Sequence, residues 1–120
     1  MEEYIHIDEQ ENCISITFDI EQDKIMAIGE KLNEINEDAY MNGYNWEALF
    51  NCYFEKNAPE LLEEFDADSE AGMYAGYYYE VSDEDKEKAR KFAGMIEELV
   101  EDEGKLYEFV REYGEEIEWD

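Results

Sequence analysis

The sequence predicts an α+β domain, a small antiparallel sheet packed against about four helices. Three patterns carry that expectation. Apolar residues alternate near the N-terminus, a tyrosine-dense run repeats the same period later, and between and after them apolar residues recur at helical steps. With 120 residues, 44% of them hydrophobic and 15% aromatic, the chain can bury one core, so residues 1–120 are read as a single domain rather than a disordered acidic tail.

Ile5 and Ile7, then Ile14, Ile16, Phe18 and Ile20, fall on one side of two extended runs, while His6, Ser15, Thr17 and Asp19 fall on the other. This predicts a half-buried hairpin with Glu9 to Asn12 as its loop. From Asp23 the period changes: Ile25, Ile28, Leu32, Ile35 and Ala39 share one helical stripe. Gly43 and the asparagines around it interrupt that stripe. Asn45 is the expected cap of a second helix, in which Trp46, Leu49, Phe50 and Tyr53 share a face. At helical spacing with Leu49 and Phe50, Trp46 reads as core.

Pro59 limits this helix, because the residue before a proline is pushed from helical angles, and can itself open a short turn carrying Leu61, Leu62 and Phe65. Asp66 to Gly72 reads as a polar turn. Met73 to Val81 reads as a strand with Tyr74, Gly76 and Tyr78 on one side and Met73, Ala75, Tyr77, Tyr79 and Val81 on the other. Tyrosines on both sides leave its inward face undecided. Ser82 caps a third helix whose first turn carries Asp83, Glu84 and Asp85 and whose stripe is Ala89, Phe92, Ile96, Leu99 and Val100. A break near Gly104 leads to a last helix with Leu106, Phe109, Val110 and Tyr113, stopped by Gly114. Ile117 and Trp119 are expected to add a short strand.

The charge is the most informative feature for function. With 36 acidic and nine basic residues the chain carries −27, far beyond the roughly 2–8 charges that keep a small domain soluble. Such an excess repels itself in the compact state, which points to a cationic partner. Phosphates are repelled, so nucleic acid is not an expected ligand. No apolar run approaches the roughly 18 residues of a membrane span, and Met1 is followed by acids rather than a basic leader. A cytoplasmic protein with Cys13 and Cys52 as free thiols is expected.

Catalytic, metal and cofactor residues are not expected. Acids this numerous fall close together by chance, His6 lies on the outward side of a strand, and no nucleophile motif accompanies it. Asp66, Asp68 and Glu70 imitate the start of a calcium loop, but Ala71 and Tyr77 stand where that loop needs glycine and a bidentate acid. More useful is where the acids lie. Between Lys56 and Lys86 no basic residue occurs, whereas Glu60, Glu63, Glu64, Asp66, Asp68 and Glu70 all fall inside. Lys86, Lys88, Arg90 and Lys91 dilute the acids that follow, as on an ordinary solvated helix. Aromatics anchor protein interfaces and carboxylates steer toward them. The expected partner-binding set is therefore Tyr44, Glu47, Glu60, Glu63, Glu64, Asp66, Asp68, Glu70, Tyr74 and Tyr78, with Tyr74 and Tyr78 on a strand side that Gly76 leaves open.

Asn42-Gly43-Tyr44-Asn45-Trp46-Glu47, with Asn57-Ala58-Pro59-Glu60-Leu61, Glu70-Ala71-Gly72-Met73-Tyr74 and Ile117-Glu118-Trp119, resembles a family of bacterial immunity proteins of polymorphic toxin systems, immunity protein family fifty-one. The resemblance implies a non-enzymatic α+β protein that binds and neutralises a cognate toxin domain. The acidity, read independently, fits a basic toxin such as a nuclease. A competing reading is a DNA mimic that sequesters a nucleic-acid-binding protein of host or phage. Adaptation to a saline cytoplasm is disfavoured, since lysine outnumbers arginine and large aliphatics are plentiful.

Overall fold

Alternating apolar residues build the first hairpin as expected. In the computed structural model, which describes residues 2–119, strand β1 (Ile5–Glu9) pairs antiparallel with β2 (Ile14–Asp19), Ile5 opposite Phe18 and Glu9 opposite Ile14. The loop is Gln10–Cys13, one residue later than predicted, closed by the Gln10 N–H donating to the Cys13 carbonyl at 2.8 Å. Helix α1 (Asp23–Ile35) buries Ile25, Ile28 and Leu32. Ala39 is buried too, but beyond the end of that helix.

Helix α2 (Gly43–Asn57) begins earlier than expected, and its cap is Asn42 rather than Asn45. The Asn42 Oδ1 accepts from the Asn45 N–H at 2.8 Å, while the Asn45 Oδ1 accepts from the Met41 N–H at 3.0 Å. Both asparagines are spent on the same helix start, the inner one holding Met41 in its left-handed conformation (φ 53°). Pro59 opens a single 3₁₀ turn, Pro59–Leu62, as its fixed φ favours.

Two strands complete the sheet. Phe65–Ala67 forms β3, where a polar turn was expected, and Met73–Tyr78 forms β4, shorter than the predicted strand. The order is β1-β2-β4-β3, antiparallel throughout, with Asp66 opposite Tyr77 and Ala67 opposite Gly76. Helix α3 (Asp83–Glu101) is capped by Ser82, whose Oγ accepts from the Asp85 N–H at 3.1 Å, and buries its whole predicted stripe. The break before α4 (Glu103–Tyr113) falls at Asp102, not Gly104. Gly114 ends α4 in ordinary helical angles; a Cβ there would meet the Val110 carbonyl oxygen at 2.6 Å, so close packing rather than a left-handed turn selects glycine. Ile117 is buried and the Trp119 indole N–H donates to the Gly114 carbonyl, but residues 115–119 form a turn-rich tail instead of the expected strand.

All the helices that touch the sheet lie on one face of it. Phe18 packs edge-to-face on Phe50 at 5.3 Å and against Trp46 at 5.0 Å, Phe50 meets Tyr74 at 5.0 Å, and Phe92 stacks on both Phe54 and Phe65. Each such ring pair adds about 0.5–1.5 kcal/mol to the area it buries. The opposite face carries His6, Asp8, Thr17, Tyr77 and, past the strand end, Tyr79, with Ser15 and Ala75 buried among them.

Candidate functional site: two acidic surfaces

The tyrosine-rich strand presents the reverse of the predicted side. Tyr74 and Tyr78 are 0% exposed, so neither is available to a partner, and that expectation is corrected. Gly76 does not leave the side open: the Phe65 ring fills its place, and a Cβ there would lie 1.9 Å from that ring. Tyr78 packs edge-on against Phe65 and donates its hydroxyl to the Leu61 carbonyl, satisfying the polar end of a buried ring.

What faces outward is Tyr77 and Tyr79, stacked with ring centroids 6.1 Å apart, Tyr79 being 58% exposed. The Tyr79 hydroxyl donates to Asp66 Oδ2 at 2.7 Å. That bond, more than partial desolvation, pushes the Tyr79 hydroxyl up to about 12, since ionisation would set a phenolate against a carboxylate. Glu60, Glu63, Glu64, Asp66, Asp68 and Glu70 are all exposed along the 3₁₀ turn and the β3–β4 hairpin. Among the described residues, only Glu60 of these meets a base, Lys91 at 3.6 Å, in an exposed pair of little energetic weight.

A second acidic surface was only half legible. Tyr44 and Glu47 of the predicted set line a groove of about 400 Å³ between α2 and the C-terminal tail, with Asn51 and Glu55 further along the helix and Glu116, Glu118 and Trp119 opposite. Tyr44, Ala48, Asn51 and Glu55 recur at steps of four, three and four, the outward stripe of a helix whose inward stripe is Trp46, Leu49, Phe50 and Tyr53. No lysine or arginine lines the groove. Lys56 stands beside it, donating to Glu116 Oε1 at 3.1 Å and lying 4.3 Å from the Tyr113 ring centre, and this pairing holds its pKa above the ordinary lysine value.

The two surfaces meet at the start of α2. The Gly43 N–H donates to the Ala71 carbonyl at 2.7 Å, and a Cβ on Gly43 would stand 1.7 Å from the Glu70 carbonyl oxygen. Only glycine lets the helix start this close to the hairpin turn. The Gly43-Tyr44-Asn45-Trp46-Glu47 segment thus divides its work. Gly43, Asn45 and Trp46 are buried and build the fold, while Tyr44, 42% exposed, and Glu47 reach the groove.

Cys13 and Cys52 are free, as expected, and burial pushes the Cys52 thiol up, away from thiolate reactivity. Among the described residues no three His, Cys, Asp or Glu side chains converge to hold a metal ion, and no helix is long and apolar enough to cross a membrane. A model of the family described as Immunity protein 51 matches residues 5–115. Among curated proteins and among solved structures nothing matches the chain.

Proposed function

The chain belongs to the Immunity protein 51 family, and from that premise we propose that it binds the domain of a cognate toxin encoded beside it and silences it by occupation, without chemistry of its own. The observation that carries this reading is the family match over residues 5–115. The surface chemistry supports a basic toxin, of which a nuclease is one example: −27 of net charge, and two acidic surfaces in which, among the described residues, Lys91 and Lys56 are the only basic groups engaged, each at a margin.

A basic cleft that handles phosphates is complementary to carboxylates for the same reason, so an anionic protein can take the place of nucleic acid in it. In this reading Glu60, Glu63, Glu64, Asp66, Asp68 and Glu70 supply the steering field, with Tyr77 and Tyr79 as the aromatic groups among them, and Tyr44 and Glu47 belong to the same contact region across Gly43. An inhibitor acting inside the producing cell must outrun the damage. Steering can raise association toward about 10⁸ M⁻¹s⁻¹ at low salt, against about 10⁵–10⁶ without it.

The test is co-expression with the C-terminal domain of the neighbouring toxin gene. Growth rescue together with co-purification of the two chains is expected. Toxicity that persists at equal expression, with no complex recovered, would overturn the reading.

A further inference from the structure

The chain's own lysines show how this fold seats a cation. Lys24, Lys31, Lys56 and Lys105 each lie over a tyrosine ring, of Tyr4, Tyr107, Tyr113 and Tyr53 in turn, at 4.3–5.9 Å from the ring centre. A carboxylate completes each seat. Glu101, Glu116 and Glu98 pair with Lys24, Lys56 and Lys105, and Glu103 accepts from the Tyr107 hydroxyl under Lys31. The recurring unit is an aromatic face beside a carboxylate, an arrangement that attracts ammonium or guanidinium groups.

The groove between α2 and the tail has the same parts and no lysine or arginine among its lining residues. Tyr44 and Trp119 supply aromatic faces, and Glu47, Glu55 and Glu118 supply carboxylates that no basic residue engages among the described residues.

We propose that this groove receives a segment of the basic partner that presents two arginines along the exposed face of α2, one toward Glu47 and one toward Glu55. The proposal rests on the toxin-binding reading and names the contact within it. Eight residues of helix separate those carboxylates by about 12 Å, close to two turns of a helix in the partner. Arginine fits better than lysine because its flat guanidinium stacks on Tyr44 and Trp119 while forking to carboxylates on both walls. Glu116 is already held by Lys56 and closes the groove rather than receiving the ligand. The wall formed by Glu116, Glu118 and Trp119 follows the end of α4, so the seat is complete only where the folded chain brings that tail against α2.

The chain has two tryptophans, one sealed in the core and one at the groove, which gives a site-resolved test. The probe is an alanine-rich helical peptide with two arginines two turns apart, its control the same peptide with citrulline, titrated into the full chain at physiological salt. The Trp119 indole signal in ¹H–¹⁵N spectra is expected to shift while that of Trp46 stays in place. The triple substitution E47Q/E55Q/E118Q is expected to raise Kd about tenfold, as three partly exposed charge pairs would. The hairpin triple E63Q/E64Q/D66N should change it less than about twofold, since those charges act only through a screened field. Tyr44→Ala, at an exposed position, supplies a second variant that does not depend on changing charge and should also weaken binding.

An unmoved Trp119 signal, or equal weakening by both triples, would overturn the proposal. With the toxin domain as ligand, the outcomes separate. If the native chain rescues growth and the groove triple rescues equally well, the groove is wrong and the toxin-binding reading stands. If the native chain forms no complex with the toxin, that reading fails and the groove assignment falls with it as a toxin contact.

Discussion

The β3–β4 hairpin and the α2–tail groove are both acidic, yet they are built in opposite ways. The hairpin acids follow one another in sequence and are exposed along the 3₁₀ turn, the edge strand and its turn, with Asp66 bonded to Tyr79 and Glu60 paired with Lys91. Those of the groove come from residues some sixty positions apart and converge across a concavity walled by aromatic rings. Consecutive charges make a field and convergent charges make a seat. Under the proposed toxin binding, the hairpin serves chiefly the rate of encounter and the groove the lifetime of the complex.

The junction between the two should be the most sensitive point. Gly43→Ala drives a methyl into the Glu70 carbonyl and is expected to cost about 3 kcal/mol, the upper range for overpacking, as a lowered urea midpoint with unchanged slope. An unchanged midpoint would mean that the two surfaces are not rigidly joined. Within the hairpin, Gly76→Ala must displace the Phe65 ring and should cost about 1–3 kcal/mol in the same assay. The edge position of Phe65 places the expected value toward the lower end.

On the groove side, Asn42→Ala removes the cap of α2 and should cost about 1 kcal/mol. Amide exchange should then quicken in the first turn of α2, beside Tyr44 and Glu47, and not in β3. Smallest is a local titration. The Tyr79 hydroxyl ionises near 12 because it donates to Asp66, a rise above its ordinary value of 10.0. A raised folded value means that this contact's contribution is intact below about pH 10 and disappears as pH climbs through 12. Asp66→Asn should bring the ionisation of Tyr79 back down, read from its ring signals, without altering those of Tyr44. A Tyr79 ionisation that Asp66→Asn leaves unmoved would deny the bond its role.

The contrast also explains what could be seen in the sequence. Helix α3 was legible because Ser82, three acids and a complete apolar stripe agree, and the first hairpin because its alternation is unbroken. Strand β3 was not. Three residues, Phe65-Asp66-Ala67, carry no period of their own and become a strand only because β4 offers an edge and Gly76 a place for a ring. The sides of β4 were undecidable from tyrosines at both parities, and Gly76 pointed the wrong way, since a missing side chain admits a neighbour's ring as readily as a partner's. Asn42 and Asn45 are equally good cap residues by type; in the fold the Asn45 side chain is taken up by the Met41 N–H, and Asn42 caps the helix. Tyr44 and Glu47 were candidates for partner contact from the sequence, but that they line a groove with Glu116, Glu118 and Trp119 was not legible, because only the folded chain brings the tail to α2.

The central claim is that this anionic surface exists to meet a cationic protein. Stopped-flow association with the neighbouring toxin domain, followed from about 0.02 to 0.5 M NaCl as the screening length shortens several-fold, tests it most directly. The account predicts that the association rate falls at least about tenfold across that range, and a rate indifferent to salt would contradict it.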